Sequence, residues 1–188
     1  VVPFHLYSSI SRKVATSMRF SRNLLGFPSV TVIDLIAARC VLSALTDICI
    51  LIIMLFALST LYDLHLRPDM GALLAGLGMA IVLGLGIGTL NSVLFPASSV
   101  YESAWGVVTG PLVLISGVMF HIEDLPEGIF TILKWNPVAH VVAQVRHAFY
   151  PAYEIAWVSP AYVILLAAIC FALGLVGLYR YIFDVLDI

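Results

Sequence analysis

Five side chains able to do acid–base or metal chemistry crowd one stretch of the sequence: His121, Glu123, Asp124, His140 and His147. His140 and His147 are spaced to share one side of a helix, but no H-E-x-x-H accompanies them. Asp124, standing before Leu125-Pro126-Glu127, reads as a helix N-cap with proline in the first turn, so capping already explains the acids. Ser98-Ser99 and Ser116-Gly117 have no base in a recognisable arrangement. No catalytic or metal site is therefore expected. Nor does a G-x-x-x-x-G-K-S/T occur, since neither Lys13 nor Lys134 follows a glycine. Without that loop the chain has no P-loop cradle for nucleotide phosphates. No cofactor is expected in this chain, and any ATP-driven work must draw its energy from another polypeptide. Asp47 lies in an apolar run, where burying a charge is costly. It reads either as a buried polar partner in helix packing or as a substrate or proton group, about two turns into its span.

The elements that must position these residues are membrane helices. The 188 residues are 62% hydrophobic and 11% charged, with a mean hydropathy of +1.07. Soluble domains use about half apolar and a quarter charged residues, so lipid is the main solvent and a partner of most of the surface. Apolar runs long enough to span fall at 40–61, 71–95, 103–120 and 159–179. Residues 1–20 read as the tail of an incomplete span, followed by a cytoplasmic segment over 21–39 and an outer segment over 121–158. Val1 is preceded by no Met, basic n-region or cleavage site, so no signal peptide is expected and a missing N-terminus is. Cys40, Cys49 and Cys170 sit in or beside apolar runs and behave as small hydrophobes. No basic tract points to nucleic acid.

Basic residues give the orientation. Arg12, Lys13, Arg19, Arg22 and Arg39 precede the first full span and Arg180 follows the last, against Arg67, Lys134 and Arg146 on the other side. The positive-inside rule then puts both ends, including the C-terminus, in the cytoplasm. Along 71–95, Ala72, Gly76, Ala80, Gly84 and Gly88 recur every fourth residue, continued by Ser92. Such a ridge lets a neighbouring helix approach closely in lipid; glycine is also simply common in membrane helices. Within 121–158 a short helix should run to about Lys134, break at Trp135-Asn136-Pro137, and resume over 137–149 until Tyr150-Pro151. Val138, Val141, Val142, Val145 and Phe149 take one side of that second helix, with His140, Gln144 and His147 opposite. The pair suits a membrane interface or a re-entrant excursion lining a wet cavity. Over 21–39, Phe27-Pro28 breaks one helix, and a short helix fits 30–39 with Asp34 and Arg39 as polar ends. That stretch is either a docking segment or a linker.

Taken in order, these features resemble the membrane subunit of ABC-2 type exporters, especially the permeases that export capsular polysaccharide and related glycans. The matching residues are Ile115-Ser116-Gly117-Val118-Met119-Phe120, Leu125-Pro126, Trp135-Asn136-Pro137-Val138-Ala139-His140, Arg146 and Phe149-Tyr150. A second set is Phe27-Pro28-Ser29-Val30, Ile33-Asp34-Leu35 and Ala38-Arg39. Ala143-Gln144-Val145-Arg146 departs from the family's commoner Glu-Leu-Arg after the His, keeping the arginine and losing the acid.

The resemblance implies an all-α polytopic bundle with a re-entrant or interfacial outer helix pair: a six-span permease lacking its first span and part of the second. It implies a homodimer in the bacterial inner membrane, paired with nucleotide-binding subunits that carry ATP and Mg. Phe27, Pro28, Val30, Asp34 and Arg39 resemble the coupling region those subunits push. Leu125, Pro126, Trp135, Asn136, Pro137, His140, Arg146 and Tyr150 resemble the outer re-entrant segment. Tyr7, Phe95, Tyr101 and Trp105 are candidates for aromatic faces along which sugar rings slide, or else they face lipid. An exporter of a drug, lipid or small amphiphile and a non-transporting assembly or anchoring subunit are the competing readings.

Overall fold

The apolar segments of this sequence are driven to helix, because a backbone in lipid must satisfy its own polar groups. A computed structural model describes residues 1–20, 31–61, 68–120, 122–150, 153 and 155–186, and no strand occurs among them. The helices are α1 (Val2–Ala15), α2 (Ser17–Phe20), α3 (Val32–Leu61), α4 (Met70–Ala97), α5 (Ser99–Ile115), α6 (Glu127–Leu133), α7 (Pro137–Phe149) and α8 (Pro160–Leu186). A 3-10 turn over Ile122–Asp124 precedes α6.

Three helices are long and apolar enough to cross a membrane: Val32–Leu61, Met70–Ala97 and Pro160–Arg180. Helix α5 overlies the expected span over 103–120 with shifted bounds, starting earlier, ending at Ile115 and having 17 residues. At 1.5 Å per residue that is about 25 Å, at the short end of what crosses a hydrocarbon core of about 30 Å. Its start is set by Ser98, extended at φ −153° and ψ 113°, whose hydroxyl accepts from Tyr101 N. Its end is set by Ser116 and by Gly117 at φ 68°, where a Cβ would meet the Ile122 side chain.

The helix itself starts before residue 40. A separate short helix over 30–39 does not form, because α3 runs unbroken from Val32 through Arg39 and Cys40. Thr31 and Asp34 make a reciprocal cap: Thr31 N donates to Asp34 Oδ2 at 2.9 Å and Asp34 N donates to Thr31 Oγ1 at 3.3 Å. Asp47 thus lies about four turns from the start of the helix.

Helix α4 is the centre, flanked by α1, α7 and α8. Asp69 caps it, accepting from Gly71 N at 2.8 Å and Ala72 N at 3.2 Å. Its small residues set the separations. A Cβ on Gly84 would lie 3.0 Å from Tyr7 O and one on Gly88 2.9 Å from Ser11 O, both on α1. Gly76 faces Val145 and Gln144 on α7, and Ala80 is fully buried between these contacts. Ala72, at the start of the ridge, is half-buried against the same core. One ridge therefore serves two neighbours. Gly86 lies on a different face, against the Ala167 carbonyl of α8, and Gly174 of α8 in turn meets Thr89 and Leu90.

Candidate functional site

At the end of the bundle carrying α6 and α7, local chemistry decides the geometry. Proline fixes the first turn of α7 at Pro137, and Asn136 caps it, its Oδ1 accepting from Val138 N at 3.0 Å. The same side chain reaches across the break, its Nδ2 donating to Ser116 Oγ at 3.0 Å. Pro126 is the N-cap residue of α6, with no side-chain bond, and Asp124 lies in the preceding 3-10 turn, which corrects the reading of Asp124 as the cap. Leu125 packs beside Ile122, Leu133 and Ala139 in a small apolar cluster.

The polar side of α7 does not face water, contrary to the amphipathic expectation. Residues 138–145 are all buried, His140 at 4% and Gln144 at 8% exposure included. His140 Nε2 lies 2.8 Å from Lys134 O, and its Nδ1 lies 3.2 Å from Ser159 N, which must be the donor. The ring is therefore neutral, with Nε2 carrying the proton. Burial lowers its pKa, opposed by the bond to the Lys134 carbonyl. Trp157 and Tyr162 stand 4.9 and 5.3 Å from its centroid. Trp135, largely exposed, accepts the Tyr162 hydroxyl on its carbonyl at 2.7 Å.

His147 faces elsewhere, bonding Tyr153 O at 2.8 Å, so the two histidines do not converge. Among the described residues no cluster of three metal-ligating side chains occurs. Arg146 clamps the preceding loop, donating to Gly117 O at 2.6 Å and to Phe120 O at 3.2 Å while lying 5.4 Å over the Tyr153 ring. Glu123 accepts from Tyr153 Oη at 2.5 Å and from Trp157 Nε1 at 2.7 Å. Burial first, and then Glu123, push the Tyr153 phenol up to about 12. Tyr150, at the exposed end of α7, lines a cavity of about 400 Å³ with Arg146, Val142 and Leu55.

At the opposite end, Phe27, Pro28 and Val30 lie outside the described residues. Asp34 is spent on the cap described above, and Arg39 sits half-buried one turn further along α3. Midway, Ser9 and Ser43 share a hydrogen bond of 3.0 Å and His5 Nδ1 lies 3.6 Å from Asp47 Oδ1, so the polar residues of α1 meet those of α3. Asp47 is buried and its Oδ2 has no hydrogen-bond partner among the described residues.

A cavity of about 340 Å³ opens between α1 and α5. Tyr7, Phe95 and Trp105 form its aromatic wall; Ser8, Ser11, Thr16 and Thr109 supply hydroxyls, and Arg12 and Glu102 line it too. Tyr101 stands behind that wall, 6.0 Å from Phe95 and stacked 6.1 Å from Trp105, with its hydroxyl donating to Asn91 Oδ1 at 2.9 Å. Arg19 of α2 holds Glu102 with two bonds, of 3.2 and 2.9 Å. Sequence reasoning missed that bridge because 83 positions separate its ends. Helix α5 contributes no buried residue, so most of its surface is unpartnered in the single chain.

Residues 1–150 match the family described as ABC-2 type transporter. The polysialic acid transport protein KpsM of Escherichia coli is 27% identical over 180 residues, covering 96% of this chain and 69% of its own length. The capsule polysaccharide export inner-membrane protein BexB of Haemophilus influenzae is 24% identical over 172 residues, covering 91% and 64%. CtrC of Neisseria meningitidis serogroup B, a capsule polysaccharide export inner-membrane protein, is also 24% identical over 172 residues, covering 90% and 64%. The chain thus spans about two thirds of the length of these relatives.

Proposed function

Because the chain belongs to the ABC-2 type transporter family, we propose that it is the membrane permease subunit of an ATP-driven exporter that carries a capsular-type polysaccharide across the bacterial inner membrane. The observation that carries this reading is the cavity between α1 and α5, walled by Tyr7, Phe95 and Trp105 and rimmed with hydroxyls. Aromatic faces offer sugar rings an apolar surface without a deep pocket, and hydroxyls exchange hydrogen bonds as the chain advances. Such a wall suits a substrate that must slide.

The wall is one-sided. A second copy of the permease, docked over the unpartnered surface of α5, encloses the cavity as a conduit. The motor is a separate nucleotide-binding subunit that holds ATP and Mg, because this sequence contains no P-loop. It docks on 21–39 and the start of α3, where Phe27, Pro28, Val30, Asp34 and Arg39 lie. With the basic residues inside, both described ends of the bundle core at α1–α2 and α8 face the cytoplasm and 121–158 faces out.

Deleting the gene tests the reading. Surface glycan should disappear from the deletion strain and return with the full-length gene. Normal surface glycan in the deletion strain, with loss of drug or lipid efflux instead, would transfer the same architecture to a small-amphiphile exporter.

A further inference from the structure

The aromatic cavity is also lined by charged groups that sugar stacking does not use. Arg12 stands on the same face of α1 as Ser8 and Ser11 and lines the cavity. Among the described residues it makes no ion pair. Glu102 lines the cavity from α5, and its carboxylate fills the fork of Arg19, accepting bonds from both terminal guanidinium nitrogens. Ser11 is 4% exposed and its hydroxyl has no hydrogen-bond partner among the described residues.

A neutral glycan needs none of this. Two guanidinium groups, one in no ion pair among the described residues and one held by an exchangeable carboxylate, fit an oxyanion: the planar fork matches carboxylate and phosphate oxygens. The bridge itself is partly exposed, with side chains 61% and 32% accessible, so solvent and salt weaken it and another anion can compete for Arg19.

We propose that Arg12 and Arg19 form a subsite for an anionic substituent of the transported glycan, a carboxylate on a sugar or a phosphate ester at a lipid-linked end, and that Glu102 holds Arg19 until that anion displaces it. This deepens the reading of the cavity as a glycan conduit and rests on it. The substrate then alternates between aromatic stacking on Tyr7, Phe95 and Trp105 and ion pairing with the charged residues of the same cavity.

Titration of the chain in phosphatidylcholine nanodiscs with three probes tests the subsite. Tetragalacturonic acid supplies sugar carboxylates, dodecyl phosphate a lipid-borne phosphate, and maltotetraose neither. At least one anionic probe should bind on the order of tenfold more tightly than maltotetraose, the ratio expected for a single charge-assisted hydrogen bond. Arg12→Gln should remove that preference and Arg12→Lys should restore only part of it, since an ammonium keeps the charge and loses the fork; neither variant breaks an ion pair of the described residues. Glu102→Gln should strengthen anion binding several-fold by releasing Arg19. Whichever anionic probe shows this pattern identifies the source of the charge.

Equal binding of all three probes to the unmodified chain overturns the subsite and leaves the conduit standing. Weaker anion binding by Glu102→Gln, in a variant with an unchanged melting temperature, also overturns it. No binding by any probe removes conduit and subsite together.

Discussion

Replacing Gly86 by alanine should pry α4 and α8 apart. The added Cβ would sit 2.9 Å from both the carbonyl carbon and the Cα of Ala167, and closer still to its oxygen. Carbon atoms rest at about 3.5–4.0 Å, so the axes must separate by roughly 0.6–1 Å. The three nearest atoms are all backbone, so no flexible side-chain end is there to yield. The displacement spreads to the reciprocal contact, where Gly174 packs on Thr89 and Leu90. Overpacking of this kind costs about 1–3 kcal/mol. The better helix propensity of alanine returns at most about 1 kcal/mol. Because helices in lipid associate through close packing, no gain in hydrophobic burial offsets the remainder.

Equilibrium unfolding of the purified chain in mixed micelles measures the net loss, on the order of 1–2 kcal/mol. Gly78→Ala is the internal control. It lies on the same helix with nothing within 4 Å of an added Cβ, so only the propensity gain applies. Equal shifts for the two variants would refute the argument that backbone approach, rather than glycine content, holds α4 to α8.

Gly84→Leu should detach α1, lowering stability or assembly by about 1–3 kcal/mol, because Tyr7 O and the Ile10 side chain leave no room; unchanged melting and assembly would count against it. Because burial holds His140 below the ordinary histidine value, the native state binds its proton at lower pH than the unfolded chain. Its share of stability is complete above about pH 6.5 and is lost as pH falls toward the native pKa, so melting should drop from about pH 7.5 to 5 and His140→Gln should flatten the drop. Persistence of the full slope in that variant would sink the assignment. Arg146→Lys should release the loop at Gly117 and Phe120, because an ammonium cannot span both carbonyls; faster amide exchange over 117–125 and a loss of about 1.5–3 kcal/mol are expected, and unaltered exchange would contradict the clamp. A cysteine at Glu127 should react with an impermeant maleimide in intact cells; protection there and labelling only after lysis would reverse the orientation.

What could be read without the structure was whatever neighbouring residues decide. Helix α7 over Pro137–Phe149 was legible because its start is a proline and its end precedes Tyr150-Pro151. The continuity of α3 was not legible for the opposite reason: Arg39 was taken as the edge of the apolar run, while hydrogen bonding runs on unbroken from the cap at Thr31 and Asp34. That capping pair was present in the sequence as Thr31-Val32-Ile33-Asp34 and simply outranked by hydropathy. Helix α5 shifted similarly, since Ser98 and Gly117 bound it more sharply than its apolar content does.

Burial of the polar side of α7 was not legible, because a histidine facing Lys134 O and Ser159 N reads in sequence like a histidine facing water. The cavity shows the same division. Residue type alone nominated Tyr7, Phe95, Tyr101 and Trp105, yet only packing separates the three on the wall from Tyr101, whose hydroxyl is committed to Asn91. The charged groups are further from reach still, since Arg12 and Glu102 line one cavity only once α1 and α5 bound it, and Arg19 joins them through its bonds to Glu102. Local chemistry in this chain writes the helices and their ends. The site comes from separations set by backbone contact at the glycines of α4: where α1 closes onto Gly84 and Gly88, Tyr7 and Arg12 on that same helix are carried to the wall facing Trp105.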